Sequence, residues 1–161
     1  MNAASYSTSF TVENTPEEVF EAVTNPRGWW STGIEGVTDR SGEEFVFEVP
    51  GVHYSKIRVT ELVPGRRVVW RVVDATIHFV ADKDEWTDTE IRFEISPTDS
   101  GTELRFTHDG LVPSVECYDA CSSAWGQYAG GSLRNFITTG TGNPDSNPDE
   151  ERYQEEARRR G

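Results

Sequence analysis

Apolar residues recur along this chain with two different periods, and the change from one to the other marks its elements. From Tyr6 to Val12 they alternate, which predicts a first strand. Thr15-Pro16-Glu17-Glu18 then carries the chemistry of a helix start. Thr15 can cap, Pro16 suits the first helical position, and Glu18 completes a capping box. Val19, Phe20 and Val23 supply the buried stripe, and Asn25-Pro26 stops the helix. Trp29-Trp30 falls in a short connection read as a second brief helix.

Alternation returns in a series of strands. Glu43 to Val49 puts Phe45, Phe47 and Val49 on one face, and Pro50-Gly51 turns the chain. The run from Val52 to Leu62 sets His53, Ser55, Ile57, Val59 and Glu61 together, opposite Lys56 and Arg58. After Pro64-Gly65, Arg67 to Val73 aligns Val68, Trp70 and Val72. Thr76 to Ala81 reads as a weaker strand, followed by a polar loop, Asp82-Lys83-Asp84-Glu85, that ends at Trp86. Glu90 to Ser96 directs Ile91, Phe93 and Ile95 inward. The loop Pro97 to Gly101 leads into Thr102 to Asp109, with Leu104, Phe106 and His108 on the inner face. Strands with one polar face and short connections predict an antiparallel sheet.

A last segment switches to helical spacing. Tyr118, Cys121, Trp125, Tyr128, Ser132, Leu133, Phe136 and Ile137 recur at intervals of three and four. Ser114 can cap this helix after Pro113, and Gly140 suits the residue past its end. About 25 residues make a rod of nearly 40 Å, long enough to cross the inner face of a curled sheet. Gly126, Gly130 and Gly131 each weaken it by about 1 kcal/mol relative to alanine, which predicts a close backbone approach to sheet or ligand. The text therefore divides into one domain over residues 1–140 and a flexible polar tail over 141–161. A solvated helix from Pro148 is an alternative for part of that tail.

Charge narrows the function. With 15 basic and 28 acidic residues in 161, the formal charge is −13. No basic face is available for phosphates, so nucleic acid and anionic membrane surfaces are excluded as expected partners. No run has the length of a membrane span, and Met1 to Ser5 lacks the features of a signal peptide; the expectation is a soluble cytoplasmic protein. Only Lys56 and Lys83 are lysines; an acidic, arginine-biased composition fits a GC-rich genome better than a high-salt host and carries no functional weight. No Gly-x-Ser-x-Gly elbow, phosphate loop or His-Glu-x-x-His is present.

Four segments, in order, carry a family resemblance. Thr15 to Phe20 followed by Trp29-Trp30, the run Val59 to Trp70, the run Thr102 to Leu111 with its His108-Asp109-Gly110 ending, and Trp125, Leu133 and Gly140 of the last helix together resemble a START-like (SRPBCC) branch. That branch is named after the activator of the heat-shock-protein-90 ATPase. The resemblance runs from about Tyr6 to Gly140. One departure is Ala124-Trp125-Gly126, where many members have Gly before the tryptophan. It implies the α+β helix-grip fold of START-like and birch-pollen-allergen-like proteins: about six or seven antiparallel strands curved around a long C-terminal helix, with two short helices after the first strand. It also implies a hydrophobic cavity between sheet and helix. The eukaryotic co-chaperones add a large amino-terminal domain for chaperone contact, whereas this chain opens at the first strand. The family name thus implies the fold more directly than chaperone activation.

Three readings of function follow. The first is a small-molecule binder without metal or other cofactor, acting as a carrier, sensor or stress-related accessory protein. Its hydrophobic or aromatic ligand would lie among Phe45, Phe47, Trp70, Phe93, Phe106, His108, Tyr118, Trp125 and Tyr128, with Trp29 and Trp30 near one mouth. The second is an enzyme of the same fold, a cyclase, dehydratase or isomerase with His108 or Glu61 as general acid/base. The competing reading of His108 is a histidine bonded in the strand-to-helix turn. His53 can pair with Glu61 or be exposed at a strand end, Glu61 can instead bond backbone or Arg67, and His78 reads as exposed. The third is an interaction protein, a homodimer or chaperone partner using Val46, Val69 and Val73 on the outer face. Cys117 and Cys121, four apart on a helix, lie about 6 Å apart at Cβ, too far for a disulfide; they read as buried, inert thiols rather than zinc ligands with His108.

Overall fold

The computed structural model describes residues 5–81 and 83–145. Seven strands form one antiparallel sheet: β1 (Tyr6–Val12), β2 (Glu35–Gly36), β3 (Glu44–Val49), β4 (His53–Val63), β5 (Arg67–Ile77), β6 (Glu90–Thr98) and β7 (Gly101–Asp109). Their order across the sheet is β1-β7-β6-β5-β4-β3-β2. Helix α1 (Pro16–Val23) and a 3-10 turn at Pro26–Gly28 follow β1. The sheet curls around a C-terminal helical rod made of α2 (Tyr118–Trp125), a π-helical segment (Gly126–Ser132) and α3 (Leu133–Thr139). This is the helix-grip fold.

Local chemistry explains the elements that matched expectation. Thr15 Oγ1 accepts from the Glu18 amide at 3.2 Å and Glu18 Oε1 accepts from the Thr15 amide at 3.0 Å, closing the capping box. Gly140 ends α3 in the left-handed conformation at φ 82°. Along β7 every second residue from Thr102 to His108 is buried.

Four expectations needed correction. The strand assigned to Thr76–Ala81 does not form: β5 continues unbroken to Ile77, and Lys83 Nζ donates to the His78 and Val80 carbonyls, tightening a turn in its place. The short edge strand β2 was not anticipated; Gly36 holds φ +117° there, and a Cβ would come within 2.5 Å of the Glu44 carbonyl oxygen. Ser114 does not cap the last helix. The Glu85 carboxylate accepts from the Glu116 amide at 2.6 Å and the Cys117 amide at 2.9 Å, so the rod begins at Tyr118, capped from a distant loop. The three glycines fall within or next to each other in the π-helical segment, but only Gly126 makes the tight approach foreseen, at 3.3 Å from the Tyr6 hydroxyl to a built Cβ. Gly131 faces open space.

Register explains a fifth difference. In the β4–β5 ladder Val59 pairs with Trp70 but Glu61 pairs with Val69, so Thr60 is bulged out. Inward parity passes from Glu61 to Leu62, which is half-buried against the core. Glu61 lies instead on the outer surface with Arg67 at 3.6 Å, as its alternative reading held. The outer face is a lattice of ion pairs: Glu44 with Lys56 and Arg58, and Arg92 with Glu90 and Asp109. Val69 is buried and Val46 and Val73 are half-buried, so no exposed valine patch forms; Val63 is the one exposed large hydrophobic among the described residues.

Residues 141–145, counted with the tail, fold back onto the domain. Asp145 accepts from Ser31 Oγ at 2.7 Å and Thr32 Oγ1 at 2.6 Å, and its amide donates to the Trp30 carbonyl. The rest of the tail, including the segment from Pro148, lies outside the described residues, as do Met1 to Ala4 and Asp82.

Candidate functional site

Beneath the centre of the rod the core is solid aromatic. Trp29 and Trp30 lie inside, at 0% and 3% exposure, stacked on Trp70 at 6.4 and 6.1 Å. Phe45, Phe93 and Phe106 complete the packing in edge-on contacts, and Phe106 reaches Trp125 at 4.7 Å. The space expected as a chamber between Trp70, Phe106 and Trp125 is therefore filled. The cause lies in the connection after α1: the Trp29 indole N–H donates to the Ala22 carbonyl and Ser132 Oγ donates to the Trp29 carbonyl, drawing both tryptophans inward from the rim.

A cavity opens one step along the rod, where the sheet ends and Phe79 and Trp86 of the β5–β6 connection fold over it. It measures about 70 Å³ and is lined by Trp30, Phe47, Val49, Val52, His53, Phe79, Trp86, Ala120, Cys121, Ala124, Trp125 and Tyr128. Among the described residues, no Asp, Glu, Lys or Arg lines it. Val49, Ala120 and Ala124 are only half-buried and form the rim. The loop enters the molecule because Trp86 is 4% exposed and stacks on Trp125 at 5.7 Å.

Two buried histidines frame Trp86, each edge-on, His53 at 4.3 Å and His108 at 4.7 Å. Trp125 Nε1–H donates to His108 Nδ1 at 3.0 Å, and an indole can only donate. In the neutral ring the proton is then on Nε2, which donates to Thr89 Oγ1 at 2.8 Å; Thr89 in turn donates to the Trp86 carbonyl at 2.6 Å. The chain is complete at each atom, and it fixes Trp125 and the loop as cavity walls. His53 Nε2 bonds to Ser55 Oγ, both side chains being buried. Burial pulls both histidines down from 6.5 to about 3, so both are neutral near pH 7. Burial, followed by contact with the Cys117 thiol, pushes the Cys121 thiol up; both cysteines are free. Among the described residues, no group of three or more His, Cys, Asp and Glu side chains could hold a metal ion, and no helix is long and apolar enough to cross a membrane.

The pattern of the family described as Activator of Hsp90 ATPase homolog 1-like protein matches residues 13–138. The chain belongs to this family. Among solved structures it is similar to the Aha1 dimer of Colwellia psychrerythraea, with a TM-score of 0.69 and 23% identity over 88% of this chain and 100% of that one. It is also similar to DynU16, a protein of the dynemicin biosynthetic locus (TM-score 0.65, 16% identity, 88% of this chain and 49% of that one). A third is CalU16 of Micromonospora echinospora (0.60, 21%, 94% and 81%). At these identities the likeness establishes the fold. No curated protein matches the chain.

Within this family fold, the residues named from sequence divide by position. Trp30, Phe47, Trp125 and Tyr128 line the cavity. Trp29, Phe45, Trp70, Phe93 and Phe106 are packed core. Tyr118 is half-buried and lies outside the lining, His108 braces the wall from behind, and Glu61 belongs to an open groove beside Pro64 and Arg67. His53, expected in one reading at an exposed strand end, is 7% exposed in the cavity wall; His78 is half-buried rather than exposed. Phe79 and Trp86 were missed. Their one signal in the sequence is a pair of large rings in an otherwise polar connection, which loops rarely spend on solvent.

Proposed function

We propose that this protein binds a small, uncharged, largely apolar molecule in the cavity bounded by Trp30, Phe47, Trp86, Trp125 and Tyr128, as a carrier or sensor. The observation that carries this reading is the lining itself: an aromatic cavity with no charged side chain among the described residues, framed by neutral imidazoles, in a strongly acidic protein. A volume of about 70 Å³ is smaller than the ~150 Å³ that accommodates benzene, so occupancy requires the half-buried rim to yield. The adjoining π-helical segment, with three glycines in seven residues, is the part of the rod best able to do so.

The enzymatic alternative draws less support from the positions of its two candidate acid/base groups. Glu61 is on the outer surface, and both ring nitrogens of His108 are engaged by Trp125 and Thr89. The test of binding is a thermal-shift titration with toluene. The expected result is a saturable rise in melting temperature that Ala124→Phe, which fills the rim, abolishes; no rise at saturating toluene would contradict the reading.

A further inference from the structure

We propose that the cavity selects a ligand bearing a carbonyl oxygen on an aromatic ring, an aryl ketone or similar neutral acceptor, through the Nδ1–H of His53. This rests on the binding reading above and adds the chemistry of the ligand. Ser55 is fully buried, and its hydroxyl makes one side-chain hydrogen bond among the described residues, to His53 Nε2. A buried hydroxyl with a single partner satisfies its proton only by donating it, so Nε2 is the acceptor. The neutral ring then carries its proton on Nδ1, the nitrogen with no partner among the described residues.

That ring is 7% exposed and lines the cavity, held edge-on between Phe47 at 5.4 Å and Trp86 at 4.3 Å, so its orientation is fixed. A second buried donor in the same wall, the Trp86 indole N–H, has only the Cys121 thiol, a weak acceptor, to meet it. The wall thus offers the His53 donor to whatever enters, and an apolar guest leaves it unpaired. A carboxylate would satisfy a donor but bring a charge into a lining with no cation among the described residues. A neutral carbonyl meets both conditions, and the surrounding rings favour a flat aromatic body.

The test compares acetophenone, its near-isostere α-methylstyrene, and benzoate, with dissociation constants read from intrinsic tryptophan fluorescence. The expected order is acetophenone about tenfold tighter than α-methylstyrene, with benzoate weakest. On the wild-type protein, the His53 Nδ1 nitrogen resonance should move with acetophenone and stay still with α-methylstyrene; with three histidines in the chain its assignment is direct. Ser55→Ala, at a residue outside the lining, frees the ring to change tautomer and should reduce the ketone preference while leaving α-methylstyrene binding in place. Equal affinity for the two isosteres, or a silent His53 nitrogen, overturns this inference and leaves apolar binding standing. Failure of all three to bind overturns both.

Discussion

Lowering the pH should destabilise this protein through His53 and His108 before most carboxylates titrate. Both rings are buried and held near 3, against about 6.5 in the unfolded chain. Between those values the unfolded chain takes up protons that the folded one refuses, so the stability is whole above about pH 6.5 and falls as pH drops toward 3. At about pH 5 each ring costs the fold about 2 kcal/mol, and the two together about 4, a large share of the 5–15 kcal/mol typical of a domain. The opposing effect is global: partial neutralisation of the −13 charge relieves self-repulsion as pH falls. A double variant, His53→Gln with His108→Gln, separates the two, because glutamine can hydrogen-bond at both sites without titrating. Urea unfolding followed by tryptophan fluorescence at about pH 7.5 and pH 5 should show a loss of about 4 kcal/mol in the wild type relative to the variant. Parallel pH dependence in the two proteins would refute the buried, neutral assignment of both rings.

Three further outcomes follow from the contacts. Trp125→Phe removes the donor to His108 Nδ1 and leaves a buried acceptor unpaired, so the urea midpoint should fall by the equivalent of about 2 kcal/mol. Glu61→Gln breaks only an exposed ion pair at 3.6 Å and should change stability by less than about 0.5 kcal/mol, with toluene binding unaltered in the same thermal-shift assay. Asp145→Ala removes the acceptor shared by Ser31 and Thr32; limited proteolysis should then cut the C-terminal segment faster, with a stability loss of about 1 kcal/mol in urea unfolding.

What the sequence disclosed was what short-range chemistry decides. The capping box at Thr15, the stop at Gly140 and the alternation of β7 each depend on residues within a few positions of one another. Glu61 was misplaced because one bulged residue, Thr60, reverses every parity after it, and the bulge is fixed by pairing with β5 rather than by local text. The helix start was misplaced because its cap, Glu85, lies 31 and 32 positions away. The cavity was displaced for a similar reason. Alternation ranks Phe45, Trp70, Phe93 and Phe106 as inward-facing but cannot show that Trp29 and Trp30 will fill the space between them. His53 had the correct parity; its place at the end of a strand suggested solvent until the loop carrying Trp86 covered it.

Indole nitrogen NMR during a toluene titration tests the location of the site most directly. Of the five tryptophans, Trp30, Trp86 and Trp125 line the cavity, whereas Trp29 and Trp70 are sealed in the core. Saturable shifts at the first three with the last two nearly still are predicted; shifts confined to Trp29 and Trp70, or none at all, would contradict a guest at this end of the rod.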